Sequence, residues 1–259
     1  MAGRGGWRGW RARRAARREL ARLAALPRRA AAVTPLLGPP FGLVDGASFV
    51  WTYRDLFERE LYAFRAATER PYIVDAGANI GLSVLYFKRL YPESEVVAFE
   101  PDPDIFAVLE ANVRAHELRG VTLIQRAVWS SDTLLAFAPD GADGGRVGVP
   151  GPDTGRVVPA AALAPYLERR VDLLKLDVEG AETEVLRGCR ERLANVERVY
   201  VEYHSSADAP QTLHCVLEIL GSAGMRVQIL PCEVARRPFL DPRPTAGFDL
   251  QVHVFGYRR

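Results

Sequence analysis

Tyr72-Ile-Val-Asp75-Ala-Gly77-Ala-Asn79-Ile-Gly81 is a β-rich run that ends in a glycine-rich turn, and a helical stretch, Ile80–Tyr91, opens on its far side. In a doubly wound sheet, ligands bind outside the carboxyl ends of the strands, at a turn of this kind. Gly77 and Gly81 let the backbone come close to a ligand, and Ala78 keeps the turn small. Asp75, at the strand end, is placed to fix the loop or to contact a charged amino-acid moiety, directly or through water. A dinucleotide fingerprint needs glycines at its first, third and sixth positions. Counted from Gly77 these are Gly77, Asn79 and Leu82, so that fingerprint fails, and the phosphate-binding lysine of a P-loop is absent too. The loop instead alternates special residues, Asp75, Gly77, Asn79 and Gly81, and a ligand without phosphate, such as S-adenosylmethionine, needs no phosphate cradle.

Outward from this loop the pattern alternates. β-Rich runs are expected at Tyr72–Asp75, Glu95–Phe99, Val121–Val128, Val171–Asp177 and Arg198–Tyr203. Helices are expected at Ile80–Tyr91, Pro103–Glu117, Ala160–Arg169, Ala181–Leu193 and Pro210–Ala223. Such alternation implies crossover connections and a parallel sheet with helices on both faces. Met225–Leu230 and Phe248–Phe255 have no helix between them and are expected to pair as an antiparallel hairpin at the sheet edge.

The second strand ends Phe99-Glu100-Pro101, with Glu100 19 residues after Gly81. A carboxylate there can accept hydrogen bonds from both ribose hydroxyls of a nucleoside. Pro101 ends the strand and fixes the turn. The alternative is that Glu100 caps the next helix, for which Asp102 is better placed. Arg126, Ala127 and Val128 end the third run, where Val128 would offer an apolar wall to an adenine.

Lys175-Leu-Asp177-Val-Glu179-Gly-Ala-Glu182 ends the fourth run. Charges after an apolar strand must be partnered or solvated in a cleft. Lys175 and Asp177 share one face of that strand. Glu179 and Glu182 fit acidic first-turn residues that favour the helix dipole. The fifth run ends Glu202-Tyr203-His204, with Glu202 and His204 on one face beside Asp177. His204 is a candidate general base for an acceptor hydroxyl. Asp177, Glu202 and His204 are, alternatively, ligands for a divalent metal such as Mg²⁺ that acidifies the hydroxyl. A satisfied core histidine is the plain alternative for His204. His116, His214 and His253 are read as structural.

These motifs resemble the FkbM family of methyltransferases, within the class I Rossmann-like superfamily. The resemblance runs from about Tyr72 to Tyr257. It rests on Asp75–Gly81, on Phe99-Glu100-Pro101, on Val171–Glu182 and on Glu202-x-His204, with Lys175–Glu182 the most specific block. It implies a seven-stranded sheet of order 3-2-1-4-5-7-6 with the last-entered strand antiparallel, S-adenosylmethionine as donor, and O-methylation. Acceptors across the family include sugars, glycolipids and polyketide natural products. Asp140–Gly155, rich in Gly and Asp, departs from the family pattern and is expected to overhang the acceptor pocket. Residues 71–259 are then a class I methyltransferase domain, preceded by an Arg-rich extension and helical lead-in, 1–70.

Within that lead-in, residues 1–30 hold ten arginines, Trp7, Trp10 and a single acid, Glu19. A basic helix from about Arg11 to Leu26 is expected, either touching an anionic membrane surface through the tryptophans or solvated as a plain extension. Tyr53–Thr68 reads as a helix with Leu56, Leu61, Tyr62 and Phe64 available for burial. The whole chain has 259 residues, 48% hydrophobic, with a net charge of +2, which gives no strong pull toward nucleic acid. Cys189, Cys215 and Cys232 are far apart and lack metal-ligand spacing, as in free thiols of a reducing cytosol. No apolar run reaches the roughly 18–20 residues needed to span a bilayer, and the first 18 residues lack the core of a secretory signal, so a cytoplasmic location is expected. A nucleotide-dependent oxidoreductase or epimerase, and a non-catalytic cofactor-binding module, are the competing functions. The failed glycine spacing and the lack of a Tyr-x-x-x-Lys pair count against the first, and the full charged set against the second.

Overall fold

The structure is a computed structural model that describes residues 5–141, 145–148, 156–232, 237, 239–240 and 247–258, with side chains from residue 13 onward. In chain order the elements are α1 (Gly5–Ala24), β1 (Ala32–Thr34), β2 (Phe41–Leu43), α2 (Gly46–Tyr53), β3 (Tyr72–Ala76), α3 (Leu82–Leu90), β4 (Glu95–Phe99), α4 (Pro103–Ala115) and β5 (Val121–Ile124). They continue as β6 (Ala127–Trp129), β7 (Thr133–Ala138), β8 (Arg146–Gly148), β9 (Arg156–Ala162), β10 (Leu173–Leu176), α5 (Glu182–Cys189), β11 (Arg198–Ser205), α6 (Leu213–Ser222), β12 (Arg226–Pro231) and β13 (Leu250–Tyr257).

The central sheet has the order β12-β13-β11-β10-β3-β4-β5. Counting only its own strands, this is 6-7-5-4-1-2-3, the expected order. The five strands β3, β4, β5, β10 and β11 run parallel, and β13 enters last, antiparallel between β11 and β12. Strand residues alternate between two apolar clusters. Tyr72, Val74 and Ala76 of β3 join Val97, Phe99, Leu174 and Leu176 on one face. Ile73 joins Val96, Ala98, Leu173 and Tyr200 on the other. Helices α5 and α6 close the first face, and α1 to α4 close the second. Strands buried on both sides read as continuous apolar runs, which is why β3, β4, β10 and β11 are visible in the sequence.

Four expectations change. The run Val121–Val128 is two strands: β5 stays in the central sheet, and β6 leaves it for a second sheet of order β6-β9-β7-β8. The expected helix Ala160–Arg169 is the end of β9 followed by a short 3₁₀ turn, Ala164–Leu167. Its alanines favour a helix in isolation, but β6 on one side and β7 on the other claim their backbone, so tertiary pairing overrides propensity. The expected helix Tyr53–Thr68 begins earlier, at Gly46, where Asp45 caps it by accepting from the Ser48 amide at 2.9 Å. It passes into a π-helical turn, Arg54–Glu58, and Glu60 then takes a positive φ of 55° and ends it. Leu56 and Tyr62 are buried as expected, while Leu61 and Phe64 are only half-buried. The basic helix starts at Gly5 rather than Arg11.

The lead-in is stitched into the body. Asn112 of α4 accepts from the Gly42 amide at 2.7 Å and donates to the Gly42 carbonyl at 2.9 Å and to the Ile80 carbonyl at 2.8 Å. Leu20 and Leu23 of α1 lie in the same cluster as Phe49, Leu56 and Leu85. The side chains of Trp7 and Trp10, named above as membrane anchors, lie outside the described residues. Among the described residues no helix is long and apolar enough to cross a membrane. The shared cluster makes Leu23 a structural residue of the whole molecule. Leu23→Ala should lower stability by about 2–5 kcal/mol in urea denaturation, with a single cooperative transition. An unchanged midpoint would mean that α1 is a loose appendage.

Candidate active site

Strands β3 and β10 lie side by side with Asp75 opposite Lys175. The Lys175 ammonium is buried, 3.4 Å from Asp75 Oδ1 and 3.2 Å from Asp177 Oδ2, and it donates to the Gly77 carbonyl. Burial alone would lower its pKa, but the Asp177 and Asp75 charges outweigh that and hold it above the usual lysine range. Asp75 also accepts from the Ser83 hydroxyl at 2.6 Å. It is fully buried, and these contacts fit the loop-fixing alternative. Gly77 has φ +89°, and a Cβ there would lie 1.8 Å from the Asp177 carbonyl oxygen, so only glycine fits the close approach of the two strand ends.

The loop is fastened to β4 as well. The Gly77 and Ala78 amides both donate to the Phe99 carbonyl, at 3.1 and 2.8 Å. Glu100 Oε2 accepts from the Asn79 amide at 3.1 Å, and Oε1 accepts from the Asp102 amide at 2.8 Å. Asn79 holds a φ of +48°, steadied by its own side chain accepting from the Ile80 amide at 2.7 Å. Asp102, not Glu100, caps α4, accepting from the Asp104 amide at 2.9 Å. Burial pushes the Glu100 carboxyl up to about 7; the Asp102 charge adds to this and the two amide bonds oppose it.

At the ends of β10 and β11 a second group converges. His204 is buried, and its Nδ1 lies 3.2 Å from Glu182 Oε1. Its Nε2 has no hydrogen-bond partner and sits 3.7 Å from both Glu179 Oε2 and Glu202 Oε1. Burial would lower the imidazole pKa, but the Glu182 hydrogen bond and the Glu182, Glu179 and Asp177 charges raise it. Glu179 and Glu202 are pushed up by burial and by the Asp177 charge, and the His204 imidazole opposes both. Single ligand atoms of Asp177, Glu202 and His204 lie within 4.8 Å of one another.

One cavity of about 160 Å³ runs between these groups. Gly77, Ala78, Asn79, Glu100, Pro101, Val128, Lys175, Asp177 and Glu202 line it. Asp75, Gly81 and His204 are not among its lining residues; Gly81, with φ +87°, begins α3. Arg126 and Ala127 also face the cavity, as do Asp140, Gly145 and Val147 from the Gly- and Asp-rich stretch, whose residues 142–144 and 149–155 lie outside the described residues. From the lead-in come Ser48, Trp51, Thr52, Asp55 and Tyr62.

Sequence reading missed three participants. Glu182, assigned to the helix dipole, is fully buried and accepts from the Val178 and Gly180 amides at 3.3 and 2.9 Å as well as facing His204. Its membership in the charged block was the available signal. His253, read as structural, pairs across β11–β13 with Glu202 and lies 2.6 Å from the Tyr200 hydroxyl, which donates to Glu202 at 2.9 Å. Cys232 Sγ lies 3.4 Å from His253 Nε2, and spacing along the chain carried no sign of either contact. All three cysteines are free.

Residues 75–227 match the model of the methyltransferase FkbM domain. Methyltransferase sdnD of Sordaria araneosa is 34% identical over 208 residues, covering 65% of this chain and 80% of that protein. The 31-O-demethyl-FK506 methyltransferase FkbM of Streptomyces tacrolimicus is 28% identical over 222 residues, covering 71% and 84%. The crystal structure of methyltransferase FkbM from Methylobacillus flagellatus KT superposes with a TM-score of 0.52 at 15% identity, over 81% of this chain and 50% of that one. With more than half its length inside the family model, the chain belongs to the FkbM family and is an enzyme that transfers methyl groups.

Proposed function

We propose that this methyltransferase uses S-adenosylmethionine to methylate a hydroxyl of a small molecule or glycan. The observation that carries the reading is the charge of the cavity. Among its described lining residues are Asp45, Asp55, Glu100, Asp102, Asp140, Asp177, Glu179 and Glu202, against Arg126 and Lys175 alone. Lys175 is already committed to Asp75 and Asp177. Asp45, Asp55 and Asp102 are themselves paired with Arg28, Arg59 and Arg156, so the acidic surplus rests mainly on Glu100, Asp177, Glu179 and Glu202, which suit a donor that carries a sulfonium and an ammonium better than a pyrophosphate. This counts against the oxidoreductase alternative on grounds independent of glycine spacing. The O-demethyl substrate named for the Streptomyces relative supports a hydroxyl acceptor.

The residues divide the work. Gly77, Ala78 and Asn79 keep the loop low so that a ligand can rest against backbone. Glu100 offers a buried carboxylate to ribose hydroxyls, and Pro101 and Val128 supply apolar wall. When bound, S-adenosylmethionine supplies an electrophilic methyl group. An acceptor hydroxyl methylated there must lose one proton. Asp177 and Glu202 line the cavity and orient the hydroxyl, His204 lies behind them with its Nε2 3.7 Å from Glu202, and this group assists the loss of that proton, while Lys175 sets the position of Asp177.

Two predictions test the division. Titration calorimetry with S-adenosylhomocysteine should give one saturable site. Glu100 must be ionised to accept from two hydroxyls, and its folded pKa is about 7. Affinity should therefore fall as pH drops through neutrality, approaching about tenfold per pH unit on the acid side. Glu100→Gln should bind weakly with little pH dependence, and a wild-type affinity flat with pH would remove Glu100 from the site. Separately, Glu202→Gln and His204→Ala should retain S-adenosylhomocysteine binding while methyl transfer drops about 10²-fold or more. Full turnover by a folded His204→Ala protein would exclude the imidazole from the chemistry.

A further inference from the structure

The His204 side chain is 1% exposed, yet its Nε2 finds no hydrogen-bond partner. An unpaired buried polar atom is costly, so its persistence needs a reason. The atom points into a group of acids rather than into an apolar core. Glu179 and Glu202 each stand 3.7 Å away, too far to accept its proton well. Asp177 completes the ring, with one oxygen within 4.8 Å of a His204 ring nitrogen and of a Glu202 oxygen. The 3.7 Å between His204 Nε2 and Glu202 Oε1 is a spacing that two ligands of one cation can hold. Donor atoms about 2.1 Å from a divalent cation lie about 3–4.2 Å from one another.

The surroundings are arranged to aim these donors. Glu182 faces Nδ1 of His204 at 3.2 Å, which leaves Nε2 as the free donor and fixes the ring plane. A carboxylate behind a histidine ligand is the usual support at metal sites. Phe248 packs on the ring with centroids 4.6 Å apart. The Tyr200 hydroxyl donates to Glu202 Oε2 and so turns Oε1 toward His204. The neighbouring trio Glu202, Cys232 and His253 also groups closely, but both His253 nitrogens have partners there, Tyr200 on Nδ1 and Cys232 on Nε2.

We propose that Asp177, Glu202 and His204 bind a divalent cation of the borderline, nitrogen- and oxygen-loving kind, such as Mn²⁺. Mixed carboxylate and imidazole donors hold it, with open positions toward the cavity that Asp177 and Glu202 line. A cation at that point accepts the acceptor's hydroxyl oxygen as a further ligand and lowers its pKa, and the released proton passes to solvent. This catalytic role rests on the function proposed above. Binding of the cation does not.

The test uses the full chain, stripped with EDTA and dialysed, then titrated with Mn²⁺ by calorimetry and followed by electron paramagnetic resonance. One Mn²⁺ per chain is expected, with nitrogen hyperfine coupling from a histidine. Glu202→Gln and His204→Ala should each weaken binding at least tenfold, and His204→Ala should abolish the nitrogen coupling. Glu168→Gln, away from the cavity, should bind as wild type does. Glu202→Gln keeps shape and volume, so it carries the test if His204→Ala fails to fold. Absence of Mn²⁺ binding, or binding that neither variant weakens, overturns the proposal. A parallel S-adenosylhomocysteine titration separates the two claims. Donor binding without Mn²⁺ binding overturns the cation alone, and Mn²⁺ binding without donor binding overturns the donor reading alone.

Discussion

The buried ammonium of Lys175 ties the sheet to the site. It lies between Asp75 of β3 and Asp177 beyond β10, and it donates to the Gly77 carbonyl. A lone charge at that depth would cost several kcal/mol, and two carboxylates with one carbonyl offset the cost. The same three contacts define the cavity floor. They draw the glycine loop against the end of β10, to a distance at which a Cβ on Gly77 would strike the Asp177 carbonyl. They also leave Asp177 half-exposed at the cavity, with its charge partly answered from behind. One buried cation thus sets where the loop sits, how close two strands end and where the Asp177 carboxylate points.

Around that floor the two faces of the sheet take different tasks. On one face, α1 to α4 and the lead-in cover the loop, and Asn112 holds both Gly42 and Ile80. On the other, α5 and α6 pack against strands whose ends carry the acids. The second sheet leans over the cavity with Phe137 and Val147, and Arg146 lies 3.8 Å over Phe248, the ring that in turn covers His204. Residues from every layer therefore reach one small space. The acidity of that space at Glu100, Asp177, Glu179 and Glu202 is what the proposed cationic donor would meet.

Much of this could be read before any coordinates. Asp75–Gly81, Glu100 and Lys175–Asp177 are local: strand period and turn chemistry place them within a few residues of one another in sequence. Glu202 and His204 needed only the period of two. Their meeting with Asp177 needed the further expectation that β10 and β11 are neighbours, which the Rossmann-like order supplies. What escaped depends on pairings with no local trace. The alanines at 160–162 carry helix propensity and become strand because β6 and β7 flank them. His253 and Cys232 reach Glu202 only through the antiparallel register of β13, which sequence spacing does not encode. Glu182 looked like an ordinary first-turn acid because nothing in the chain announces that His204 lies above it.

The central claim is that the cavity between Gly77, Glu100 and Asp177 receives a nucleoside methyl donor. A crystal structure of the protein grown with S-adenosylhomocysteine tests it most directly. Density is expected inside that cavity, with the ribose hydroxyls on Glu100 and the sulfur on the side of Asp177 and Glu202. Clear density at another site, or an empty cavity at saturating ligand, would contradict it.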